Sequence, residues 1–245
     1  MRPATEPIDH DCLLRAWQRF ISEGELMQSL SPPVVRSWFR CRYRKLNPHQ
    51  AYFRRDAQFD WPQLPAEGRY LGELFAEIGR ELDSLLTAGE LLFAVTDGRG
   101  RVLGWLGDSG LLPDRFLGLG HFLLEEVVGT MAISLTLIEK KAFQIRGAEH
   151  YCSSFHHLRS YAFPLFVEKE FVGALAFWLP LLASPAFEAA GLLMARFLEA
   201  GLLLKKLCPP EGRKAVEQGK EDRSGESNLS NISWIVSKIS DSRVK

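Results

Sequence analysis

His150, Cys152, His156 and His157 are the densest group of metal-capable side chains in the sequence, and Glu125 and Thr130 are polar residues inside a largely apolar run. Zinc takes about four nitrogen or sulfur ligands in a tetrahedron, drawn from recognisable paired spacings. His-x-Cys-x-x-x-His-His is not such a spacing, so no metal is expected, and Glu149 and His150 read first as loop-fixing hydrogen-bonders. A Cys152–His156 pairing for nucleophilic chemistry has no accompanying oxyanion signature, and no catalytic residue is assigned. The stretch 125–134 mixes Glu125, Gly129 and Thr130 with Val127, Val128, Met131, Ala132 and Ile133, a pattern suited to lining an apolar pocket with a few polar groups.

Composition bounds what surrounds these residues. The chain has 245 residues, 46% hydrophobic and 24% charged, with 30 basic and 30 acidic side chains cancelling. Nothing global draws it to nucleic acid, and the basic cluster Arg36, Arg40, Arg42, Arg44, Lys45, Arg54 and Arg55 reads as a solvated helix face. Cys12, Cys41, Cys152 and Cys208 are scattered. The first residues are polar, and the stretch 192–204 is broken by Arg196 and Glu199, so neither a signal peptide nor a membrane span is expected. A cytoplasmic protein with reduced thiols follows.

The positioning elements follow from periodicity. Leu13, Leu14, Trp17, Phe20 and Ile21 mark an amphipathic helix over 11–26, with Asp9 or Asp11 as its N-cap. Ser31-Pro32-Pro33 starts a second helix, burying Val34, Val35, Trp38 and Cys41. Residues 47–65 form a connector. A strong helix covers 69–88 and stops at Gly89. Apolar runs on either side of Asp97-Gly98 give a hairpin, and 107–123 form a loop. One helix is expected over 125–139, with Val128, Ala132, Leu135 and Ile138 inward, then a strand over 142–147 and a histidine-bearing loop. A second hairpin runs through 161–167 and 171–178, with Pro164 at an edge or bulge. A closing helix starts at Ser184-Pro185 and runs to 207. Beyond it charge, Ser, Gly and Asn dominate, and 209–245 read as disordered. This order describes an α+β fold with one antiparallel sheet and helices mainly on one face.

The residues also carry a family resemblance. Glu125, Gly129, Thr130, Ala132 and Ile133 match the Glu…Gly-Thr-Asn-Ala-Ile-Gly helix of the GAF sensor in acetoin/glycerol-responsive, sigma-factor-dependent bacterial transcription activators. Gly147, Glu149, His150 and Tyr151 match its Gly-x-Glu-His-Tyr element. Ser160, Pro164 and Gly173 match later positions, and Ser37-Trp38-Phe39-Arg40-Cys41 resembles the Ser-Trp-x-Arg-Cys helix that precedes the sensor. Met131 stands in place of Asn, Ser134 of Gly and Leu123 of Trp. No G-x-x-x-x-G-K-[ST] phosphate loop occurs, so the family's ATPase has no counterpart here, nor do residues after 210 have room for its helix-turn-helix.

The resemblance implies a helical N-terminal extension and connector over 1–65, a GAF domain over 66–208 and a tail or linker over 209–245. It implies a non-enzymatic domain that senses a small-molecule metabolite, without a cofactor, in transcriptional regulation or signalling. His121, Phe122, Glu125, Thr130, Met131, Glu149, His150 and Phe163 are the candidate ligand-binding residues, with Trp178 a further wall and the loop 111–123 a cover. The apolar helices at 71–86 and 192–204 carry more hydrophobic surface than one sheet face needs. They are expected to bundle in a homodimer, so that pocket occupancy alters helix packing. Two contexts fit the missing output domains: a truncated or stand-alone relative, or output through a separate protein met by the tail around Trp234; no direct nucleic-acid or membrane contact is expected. The alternative is an interaction or dimerisation module that has lost its ligand. A GAF-fold thiol reductase is a third reading, and would need Cys41 and Cys152 to converge.

Overall fold

The computed structural model describes residues 10–26, 30–50, 53–86, 91–113, 116–183 and 187–207. The expectations for Asp9, Gly89, Ser184-Pro185, Cys208, the tail and its Trp234 lie outside those residues. Up to Leu204 the chain forms one compact unit; of the second, Lys205–Lys245, only the end of a helix is described.

Five strands form a single antiparallel sheet in the order β2-β1-β5-β4-β3. They are β1 (Leu92–Asp97), β2 (Val102–Gly107), β3 (Phe143–Arg146), β4 (Leu158–Val167) and β5 (Glu170–Pro180). Both expected hairpins form. The second turns through Glu168 and Lys169 alone, at φ of 49° and 75°. Pro164 lies beyond the end of β3, whose ladder stops at Ala162, so its missing amide hydrogen leaves no bond unmade on that side. The fold is α+β.

Helices cover both faces, not mainly one. Alternation along the strands divides the sheet's side chains into two cores. Leu92, Ala94, Ala162, Ala174, Ala176 and Trp178 belong to the first, and Phe93, Val95, Tyr161, Phe163, Leu175 and Phe177 to the second. The first core is completed by α1 (His10–Glu23), α2 (Pro32–Tyr43), α4 (Glu125–Val128) and α5 (Ala132–Glu139). The second is completed by α3 (Ala66–Leu86) and α6 (Phe187–Leu207), through Leu71, Leu74, Phe75, Ala195, Leu198 and Leu202. Two long helices with wide apolar stripes need a sheet face of their own, since each buried Leu or Phe contributes about 1.5–3 kcal/mol. The residues before 66 are thus no loose appendage: Leu13, Trp17, Phe20, Val34 and Trp38 share the first core with the strands.

The single helix expected over 125–139 is two. Gly129, at φ 71° and ψ −155°, ends α4, and Met131 is extended before α5 restarts. Within α5, Ile138, expected inside, is 49% exposed while Ile133, Leu135 and Leu137 are buried. Ser134 holds the break together: its Oγ accepts from the Met131 amide at 3.0 Å and donates to the Gly129 carbonyl at 2.7 Å.

Candidate functional site

On α2, Ser37, Arg40, Cys41 and Arg44 fall at i, i+3, i+4 and i+7, one face of the helix. That face docks on Glu125, which is 3% exposed. Arg40 grips it with both forks, Nε to Oε1 at 2.7 Å and Nη2 to Oε2 at 2.6 Å, and Arg44 Nη1 donates to Oε1 at 2.9 Å. Ser37 Oγ donates to Oε2 at 2.7 Å, so its own oxygen is free to accept from Thr130 Oγ1 at 2.7 Å. Cys41 Sγ approaches Thr130 Oγ1 at 3.8 Å. The hydrogen bond to Glu125 raises the Arg40 pKa above its already high value. A buried carboxylate is tolerable when neutralised and hydrogen-bonded in this way.

The basic cluster around 36–55 is therefore not simply a solvated face. Arg36 pairs with Glu139 and Arg54 with Glu126, while Arg42 donates to the carbonyls of Phe20 and Ile21 at the end of α1. The missed signal was the i, i+3, i+4, i+7 spacing, which aims serine, arginine and cysteine at one target. A second unforeseen ion network ties the connector to the first hairpin: Arg101 bonds Asp97 at 2.7 Å and Asp56 at 3.2 Å.

The Gly147–Tyr151 element is held from two sides. Trp38 Nε1 donates to the Glu149 carbonyl and Trp17 Nε1 to the Tyr151 carbonyl, each at 2.9 Å. The Glu149 carboxylate accepts from the Arg146 amide at 3.0 Å. His150 is fully buried, with Nδ1 2.9 Å from the Gly147 carbonyl and Nε2 2.8 Å from Ser160 Oγ. A carbonyl only accepts, so Nδ1 carries the proton and Nε2 accepts from Ser160. Ser160 Oγ in turn accepts from the Ala132 amide at 3.3 Å, reaching the start of α5. Burial lowers the His150 pKa to about 3 and that of His156 to about 4. His156 Nε2 donates to the His150 carbonyl at 3.1 Å, and His157 bonds the Leu111 carbonyl at 3.1 Å. These imidazoles serve backbone groups, and among the described residues no three His, Cys, Asp or Glu side chains are placed to hold a metal.

Burial also governs the thiols. Cys41 is pushed up to about 12, by burial first and the Glu125 charge second, and Cys152 is raised by burial. Both stay protonated at neutral pH, the unreactive form of a cysteine.

The sequence-selected ligand residues thus divide. Glu125, Thr130, Glu149 and His150 converge on the helical side of the first core, where Met131 is fully buried. His121 and Phe122 stand apart at the connector, His121 against Phe53 with ring centroids 6.4 Å apart, Phe122 under the Arg54 guanidinium at 4.9 Å. Phe163 does not join them: it belongs to the second core, on the opposite side of the sheet, stacked on Phe177. Trp178 sits in the first core, fully buried, with no hydrogen-bond partner for its Nε1.

Sheet order and helical cover on both faces define a GAF-like α+β domain. No protein-family model matches the chain, and no curated protein matches it. Among solved structures it is similar to the E. coli DhaR(N)–DhaL complex, at TM-score 0.61 and 21% identity over 78% of this chain. The match spans 66% of that protein's chain, just under two thirds of its length. The chain is also similar to a type II free methionine-R-sulfoxide reductase from Thermoplasma acidophilum, at TM-score 0.39 and 13% identity, covering 56% of this chain and 94% of that one. A GAF domain/HD domain protein from Geobacter sulfurreducens gives TM-score 0.37 and 17% identity, covering 54% and 90%. At these identities the similarity is one of fold. No helix of the described residues is long and apolar enough to cross a membrane.

Proposed function

We propose that this chain is a non-enzymatic regulatory domain of the acetoin/glycerol-responsive activator type, sensing a small metabolite on the helical face of its sheet. Two copies, joined through outer helices, would pass the signal on within transcriptional control. The Trp178 indole carries the ligand reading: its N–H is buried and unpaired in the first core. A buried donor without a partner costs about 1–3 kcal/mol. A small, mostly apolar molecule with one acceptor oxygen would remove that penalty. Trp178 shares its core with Leu112, Phe116 and Leu123 of the covering segment and with Met131. In this reading those residues form the walls, and His121 and Phe122 the rim. Glu125, Thr130, Glu149 and His150 are the frame that holds the walls in place. The similar DhaR(N) fold was captured with a second protein, DhaL, which supports a domain that passes its signal to a partner.

The test is a thermal-shift screen of ketones, diols, short-chain acids and nucleotides on the wild type and on Trp178→Phe. A compound bearing an acceptor oxygen should stabilise the wild type and stabilise the variant measurably less. If no compound stabilises the wild type, the sensor reading fails in favour of an interaction module. The specific observation on that module's side is the full engagement of Glu125 and Thr130 by α2.

A further inference from the structure

The second sheet face carries a cluster of a different kind. β3 and β4 pair so that Arg146 lies directly opposite Arg159 and Gln144 opposite Tyr161. Like charges directly opposite on neighbouring strands repel and destabilise the pair unless an anion joins them. The Arg159 head is anchored, with Nη2 donating to the Leu181 carbonyl at 2.9 Å and Nη1 reaching the Ala183 carbonyl at 3.4 Å. Its Nε is buried and, among the described residues, has no hydrogen-bond partner. Tyr161 is 2% exposed and accepts from Gln144 Nε2 at 2.9 Å, which leaves its own hydroxyl proton available to donate. Arg159 lies within hydrogen-bonding reach of that hydroxyl, and Arg146 and Glu188, in the first turn of α6, within electrostatic reach of it. Among the described residues neither Arg146 nor Glu188 forms an ion pair. One carboxylate against two guanidinium groups leaves the cluster with net positive charge.

We propose that Arg146, Arg159 and Tyr161 form a binding site for an oxyanion, the carboxylate or phosphate of a small molecule. It lies on the sheet face opposite Glu125 and is independent of the ligand site proposed above. The donors are of the right kind: a free guanidinium, a fixed Nε–H and a phenolic O–H, set together on two paired strands. Guanidinium forks match planar or tetrahedral oxyanions through paired hydrogen bonds. Arg159 is the pre-positioned donor, because two carbonyls already hold its head. Arg146, half-buried on the edge strand, is the one free to close on the anion.

The experiment titrates the full chain with inorganic phosphate and, separately, with acetate, against chloride at equal ionic strength, following the melting temperature and binding heat. One or both anions should raise the melting temperature saturably, and the arm that responds assigns the ligand's acid group. Arg146→Gln should weaken binding roughly tenfold or more, the effect of losing a charged hydrogen bond, while melting in chloride no lower than the wild type, because the repulsion from Arg159 is relieved. Tyr161→Phe should weaken it less. If Arg146→Gln fails to fold, Arg146→Lys keeps the charge but not the fork and should bind less tightly than the wild type. Two outcomes overturn the site: no saturable shift with either anion, or an equal shift in wild type and the Arg146 variant.

Discussion

Arg40 holds Glu125 with two parallel hydrogen bonds of 2.7 and 2.6 Å, across 85 residues of sequence. The contact joins a helix that precedes the sheet to the segment that caps it, so α2 is part of the frame. Arg44 and Ser37 complete the coordination, and Ser37 carries the chain on to Thr130 beside the Gly129 break. A carboxylate so occupied has little left to offer a ligand, which moves the proposed binding role toward Trp178 and Met131.

Removing one side of this cluster should be costly. Glu125→Ala leaves Arg40, Arg44 and Ser37 without their acceptor in a largely dry site, and breaking a buried pair this way costs about 3–5 kcal/mol. Arg40 and Arg44 keep 33% and 43% of their side-chain surface in solvent, so we expect about 3 kcal/mol, the low end. Urea unfolding measures it. A loss of about 0.5 kcal/mol or less, the range of surface substitutions, would show that the cluster is not structural. A double-mutant cycle with Arg40→Ala should return a favourable coupling between the two residues.

Gly129→Ala probes the break itself. The backbone at φ 71° and ψ −155° lies in a region essentially confined to glycine, and a side chain there costs about 1–3 kcal/mol. The new Cβ would also stand 3.3 Å from that of Tyr151. We expect a lower unfolding midpoint, with local loosening of 125–135 in amide exchange. An unchanged midpoint would mean that the chain passes from α4 to α5 by another route.

Much of this fold was legible because hydrophobic period and turn chemistry are local. The Asp97-Gly98 hairpin, the helix expected over 69–88, described as Ala66–Leu86, and the helix started by Pro32-Pro33 all formed near their expected bounds. The helix break at Gly129 was not read, because Val128, Ala132 and Leu135 fit one helical period, and only Ser134 hints at a new start. Two-sided helical cover was hidden for a related reason: strand alternation shows that two faces exist but not which helix covers each. The polar residues around 125 and 150 were legible as a cluster. Their partners Ser37, Arg40, Trp17 and Trp38 lie far off in sequence: the spacing on α2 puts Ser37 and Arg40 on one face, but no local pattern names the distant residue that face meets. Phe163 is a candidate ligand residue in the sequence, but the strand's two-residue period sends it to the other side.

Acid should loosen the Gly147–His156 region first. His150 and His156 have folded pKa values of about 3 and 4, lowered by burial from the ordinary 6.5. As pH falls the unfolded chain therefore takes up protons before the folded one. Their contribution is complete above pH 6.5 or so and drains away between there and the folded values. Each unprotonated imidazole should remove up to about 1.4 kcal/mol per pH unit below 6.5. Between pH 6.5 and 5 most carboxylates stay ionised, so the slope reports mainly histidines. Urea midpoints across that window should fall, and His156→Gln should flatten the fall even if it lowers stability at pH 7. A wild-type midpoint independent of pH over the window would contradict neutral buried imidazoles.

The outer side of α6 bears on the proposed dimer. Its inner stripe, Gly191, Ala195, Leu198 and Leu202, packs on the second core, with Gly191 so close to Phe177 that any Cβ would clash. A second apolar stripe faces out: Leu192, Leu193, Leu203 and Leu204 are 42%, 69%, 36% and 57% exposed. Leu193, Arg196, Ala200 and Leu203 alternate steps of three and four, the repeat with which one helix packs along another. A helix apolar on both sides needs a partner on each, and a second copy of α6 offers the same repeat. Leu193→Asp with Leu203→Asp should therefore convert a dimer to a monomer in sedimentation equilibrium, and melting of the wild type should depend on concentration while the variant's does not. Both substitutions lie away from the buried stripe, so the monomer should keep its strand and helix content by circular dichroism. A wild type that sediments as a monomer at high micromolar concentration removes the dimer, and with it the helix-to-helix route for the signal.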